Sequence, residues 1–87
     1  MAKTKTLFQF VGKSENYGAY GCFSINFYRP LTGSNPVSVD GVPIEAGSSL
    51  SISQNVGDSD HSFYEIAFTE TVAGNNALHI TRILPVD

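Results

Sequence analysis

The sequence predicts an all-β protein, a single small antiparallel β-sandwich or barrel of six to seven short strands. Short apolar runs recur roughly every 10–14 residues, and no segment shows a 3.6-residue period. Turn-forming residues separate these runs. They are densest in NPVSVDGVPIEAGSSLSI, residues 35–52, where Asn-Pro, Asp-Gly, Pro and Gly-Ser-Ser interrupt β-branched stretches. A chain of 87 residues with 41% hydrophobic content is long enough for one such domain, spanning 1–87, and too short for two.

The first strand is TLFQFV, residues 6–11, with Phe8 and Phe10 on one face and Leu7, Gln9 and Val11 on the other. Residues 1–5, with Lys3 and Lys5, read as a flexible N-terminal arm. Residues 12–21 read as a loop. CFSINFY, residues 22–28, alternates most cleanly, with Phe23, Ile25 and Phe27 sharing one face, and Arg29-Pro30 ends it. VSV (37–39) and VPI (42–44) flank Asp40-Gly41, whose residue types suit the two positive-φ positions of a type I′ turn. Pro43 has no N–H to donate, which places that arm at a sheet edge. SLSIS (49–53) points Leu50 and Ile52 inward, and residues 55–62 form a polar, acidic loop. FYEIAFT (63–69) buries Tyr64, Ile66 and Phe68. LHITRIL (78–84) puts Leu78, Ile80 and Leu84 on the same side as Arg82, so either Arg82 sits at a rim or the strand carries a bulge; Pro85 closes it.

Composition narrows the chemistry. Cys22 is the only cysteine, which rules out an internal disulfide, and one Cys with two distant His residues lacks zinc-ligand spacing. Five basic against eight acidic residues, net −3, give no basic footprint for nucleic acid. No apolar run approaches the ~20 residues of a membrane span. The N-terminus lacks a signal-peptide core, so the expected site of synthesis is a cytoplasm without standard secretion.

The polar clusters suggest no catalyst. Asp58, Asp60 and His61 lack the spacing of a calcium loop and read as a solvated connection. Cys22, beside aromatic residues, reads as a small buried hydrophobe rather than a nucleophile served by His61 or His79. Glu45, Glu65 and Glu70 give no paired-carboxylate spacing, and no glycine-rich phosphate loop is present. No cofactor is expected. From Asn16 to Tyr28 run thirteen uncharged residues with five aromatic rings, the composition of an interface core. Tyr17, Tyr20, Phe27 and Tyr28 are therefore the candidate contact residues.

The stretch from Asn35 to Thr69 also resembles a pattern in small β-sandwich structural proteins of bacteriophage virions. Its marks are Val39, Gly41, Ile44, Gly47, Ser49, Leu50 and Ile52, followed by Asp58 and Asp60 and the aromatic strand Phe63 to Phe68. The resemblance implies a capsid decoration or cement subunit, a minor capsid protein, or a vertex, neck or spike component, located in the virion. Its partners would be copies of itself or other virion proteins, with neither nucleic acid nor membrane among them, and it implies no catalytic residue. On this reading the loops 12–21 and 55–62 adjust to the lattice. Ten Ser and six Thr suit close-packed contacts, where unpaired charge is costly to desolvate. The alternative expectation is a carbohydrate-binding β-module using Tyr17, Tyr20 or Tyr28.

Overall fold

The computed structural model describes residues 3–32, 34–55, 58–69 and 76–86. The fold is all-β, with eight strands: β1 (Lys3–Val11), β2 (Glu15–Gly18), β3 (Ser24–Tyr28), β4 (Val37–Val39), β5 (Val42–Ile44), β6 (Ser49–Ser53), β7 (Phe63–Phe68) and β8 (Leu78–Val86). They form two four-stranded antiparallel sheets, ordered β1-β8-β3-β6 and β2-β7-β4-β5.

The sheets pack face to face through alternate side chains. From the first sheet come Val11, Ile25, Phe27, Leu78 and Ile80; from the second come Tyr17, Val37, Val39, Ile44, Tyr64, Ile66 and Phe68. Leu50, Ile52 and Leu84 border this core. Phe27 spans the layers, its ring meeting that of Tyr64 edge-on at 5.4 Å between centroids. Tyr17 Oη donates to Gln9 Oε1 at 2.7 Å, tying the edge strands β2 and β1 together across the sandwich.

The Asp40-Gly41 turn forms as expected, with φ of 50° and 81°. The Asp40 carboxylate accepts the Glu65 N–H at 2.7 Å, anchoring the turn to β7. β5, with Pro43, is an edge strand. The register of β8 against β1 and β3 runs without interruption, so the strand has no bulge; Arg82, paired on both sides, is half-buried on the inner face rather than at an open rim.

Four sequence expectations need correction. There are eight strands, because Glu15–Gly18, expected within a loop, pairs with β7. It is only four residues long, ends in Gly18 and runs straight into the turn at Gly21, so it reads as loop. Residues 3–5 are not an arm: β1 starts at Lys3, paired with Val86; residues 1 and 2 lie outside the described residues. Pro85 does not end β8. Pairing with β3 stops at Ile83, so the strand has a free side at Pro85 where a missing N–H breaks no ladder bond. Lastly, Tyr17 and Phe27 are 5% and 0% exposed, which places them in the core and away from any partner.

Candidate functional site

Two surfaces stand out. The first is the outer face of the β1-β8-β3-β6 sheet. Strand register defines its rows: Phe10–His79–Tyr28–Ser49, Phe8–Thr81–Asn26–Ser51 and Thr6–Ile83–Ser24–Ser53, with Thr4 beside Pro85. None of these positions is Asp, Glu, Lys or Arg, although the chain holds thirteen such residues. Phe8 is 79% exposed and Phe10 58%. The His79 ring lies between Phe10 and Tyr28, 5.5 Å and 6.3 Å from their centroids. Phe8, Gln9, Phe10, His79, Ile80 and Thr81 line an open hollow of about 270 Å³. Cross-strand hydroxyls and amides brace the sheet, as where Ser51 Oγ donates to Asn26 Oδ1 at 2.5 Å.

Charge-poor, aromatic surface is the composition of an interface core. An ordinary solvated sheet face would carry lysines and glutamates at its outward positions; this one uses Ser, Thr and Asn. The outer face of the other sheet, by contrast, carries Glu65 opposite Asn16.

The second surface is the turn Ala19–Cys22, closed by a 3.3 Å bond from Cys22 N to Ala19 O. Tyr20 occupies its first central position at φ 53° and Gly21 the second at 83°. Left-handed backbone costs a non-glycine residue ~1–2 kcal/mol, and Asn tolerates it better than Tyr. The Tyr20 ring is nevertheless 67% exposed. It meets Phe63 edge-on at 6.1 Å, and both rings fold over Gly18, where a Cβ would come within 2.7 Å of Tyr20. The Arg82 guanidinium lies 5.4 Å from the Tyr17 ring centre and 5.7 Å from that of Tyr20.

The contacts of Tyr20 contribute about 1 kcal/mol, close to the cost of its backbone. Tyr20→Asn is therefore expected to change folding stability by less than about 0.5 kcal/mol in urea unfolding, while removing an exposed ring. A loss above ~1 kcal/mol would make the ring a structural one.

The polar groups near this turn serve the fold. Asp60 is 5% exposed; it accepts the Tyr64 hydroxyl, and its Oδ1 accepts the Ser62 N–H at 2.8 Å. Its backbone bridges Cys22, with Asp60 N donating to Cys22 O at 2.7 Å and Gly21 N donating to Asp60 O at 2.8 Å. Burial alone would raise the Asp60 pKa, but the hydrogen bonds from Tyr64 and Ser62 outweigh it and hold the carboxyl below its usual range. Burial, then the bond to Asp60, pushes the Tyr64 phenol well up. The Cys22 thiol is 0% exposed and is raised by burial and by nearby Asp60, so it stays protonated at neutral pH.

Cys22 and His79 are not brought together: one is in the core, the other on the outer sheet face. Among the described residues no group of three His, Cys, Asp or Glu is placed to hold a metal ion. Glu70 lies outside the described residues. Of the candidate contact residues, only Tyr20 and Tyr28 reach the surface, and Tyr17 is withdrawn from any carbohydrate platform by its burial.

The sequence reading missed Phe8 and Phe10 as surface residues, since the alternation of β1 does not say which of its faces is covered. A signal was present in the neighbouring strands, whose non-core positions hold Ser24, Asn26, Ser49, Ser51 and Ser53 with no charge among them. Comparison with known protein families, curated proteins and solved structures gives no match for this chain.

Proposed function

We propose that this chain is a non-enzymatic structural subunit that assembles into a multi-subunit particle, with the outer face of the β1-β8-β3-β6 sheet as its main contact surface. The observation that carries the reading is the absence of formal charge from every outward position of that sheet, together with the exposed Phe8 and Phe10. Burying such a face strands no charge and removes aromatic surface from water, at ~25 cal/mol per Å² of apolar area. Tyr20 and Phe63 supply a second, smaller contact. The particle is a phage virion, where the chain serves as a decoration or cement subunit, a minor capsid protein, or a vertex, neck or spike component. The support for that placement is the resemblance of residues 35–69.

Light scattering on the full chain across a concentration series, together with cosedimentation with purified particles, tests this. The expected results are masses above the 9.4 kDa monomer or recovery with particles. A monomer at every concentration that also fails to sediment with particles would contradict the proposal.

A further inference from the structure

We infer that two copies of this chain join edge to edge through β1, in an antiparallel register centred on Leu7, to make one continuous eight-stranded sheet. This rests on the assembly reading above and specifies its first step.

An exposed sheet edge offers unpaired N–H and C=O groups to another strand, and proteins usually guard it with short length, proline, bulges or charge. Two of the four edges here are guarded by short length or proline, and a third is shorter than β1 and lined with serine. β5 has three residues including Pro43, β2 has four, and β6 has five, with Ser49, Ser51 and Ser53 along it. β1 has nine residues, no proline and an unbroken register with β8; its two lysines, Lys3 and Lys5, lie at its N-terminal end, Thr6–Val11 carries no charge, and among the described residues no strand pairs with its other side.

Residue identities in β1 select its partner. Parallel pairing with a second copy, residue against residue, would set Lys5 against Lys5. Antiparallel pairing centred on Leu7 engages all nine residues, setting Lys5 opposite Gln9 and Lys3 opposite Val11. On the outer face it sets Phe8 opposite Thr6 and Phe10 opposite Thr4, pairs of the aromatic–β-branched kind that stabilise sheets. A slip of one residue turns the outer face of one copy to the other side, and a slip of two forfeits part of the pairing. The two-fold axis stands perpendicular to the sheet, an isologous contact of the commonest oligomer type. It leaves both uncharged outer faces on one side, doubling the surface offered to the rest of the particle.

Cysteine cross-linking tests the register. With Leu7→Cys the two Cα atoms lie ~4.5–5.5 Å apart across the axis, within disulfide range. With Phe10→Cys they lie roughly 20 Å apart. Cys22 is 0% exposed and contributes no background. The expected result under mild oxidation is a covalent dimer of Leu7→Cys, mapped to that residue by mass spectrometry, and none from Phe10→Cys. Because Leu7 is half-buried, exposed Thr6→Cys and Phe8→Cys chains are also mixed; they are expected to cross-link with each other faster than either does alone. Phe8→Lys, at a 79% exposed position, is expected to weaken wild-type self-association about tenfold or more. If the wild-type chain self-associates and neither cross-link forms, the β1 edge is not the contact, and the assembly reading survives without it. If the wild-type chain neither self-associates nor sediments with particles, both fall.

Discussion

Replacing Phe27 with Ala is expected to cost about 4 kcal/mol of folding free energy, the toll of emptying a large, fully buried site. Phe27 is 0% exposed and packs edge-on against Tyr64 between the two sheets. A domain of 87 residues has roughly 4–13 kcal/mol in total, so the variant is expected to lose between about a third and all of its stability. Phe27→Leu, which keeps most of the volume, is expected to lose only about 1.5 kcal/mol in urea unfolding. The pair of variants also separates core from interface. An interface Phe27 would leave monomer stability untouched when cut to Ala and would weaken association instead.

The second large effect is expected at Asp60. Asp60→Ala removes the acceptor of the buried Tyr64 hydroxyl and of the Ser62 N–H, and orphaning such groups costs about 3 kcal/mol. Asp60→Asn keeps the size but not the charge, and is expected to lose about half of that. The pH dependence follows from the direction of the shift. The folded carboxyl titrates below its ordinary value of 3.8, so the charged form stabilises the fold above that pH. This contribution fades as pH falls through the lower, folded value. Denaturant midpoints measured from pH 7 down to pH 2 are expected to show a steeper acid decline in the wild type than in Asp60→Asn. Parallel curves would show that Asp60 is not held in its charged state by the fold.

Much of the fold is legible in the sequence because short-range rules decide it. The Asp-Gly turn needs two positive φ values, Pro43 needs an edge, and Tyr64, Ile66 and Phe68 alternate in a strand buried on one face. β2 is hidden because Gly18 and Gly21 imitate a loop, although Tyr20 and Phe63 cover Gly18 once the strand has paired. Pro85 looks like a stop because sequence does not reveal that β8 has only one neighbour there. Aromatic density between Asn16 and Tyr28 marks core and surface alike, and only register decides that Tyr17 and Phe27 face inward while Tyr28 joins Phe10 and His79 outside. The outer face emerges from residues of four strands that are scattered along the chain, a pattern invisible until they are aligned.

The claim that two copies join along the β1 edge of the β1-β8-β3-β6 sheet is tested most directly by hydrogen–deuterium exchange of the full chain at increasing concentration. The account predicts that exchange slows within β1, Lys3–Val11, as concentration rises, while β5, the proline-bearing edge of the other sheet, keeps one rate throughout. Rates in β1 that do not change with concentration while solution mass increases, or protection that builds on β2 and β5 instead, would contradict it.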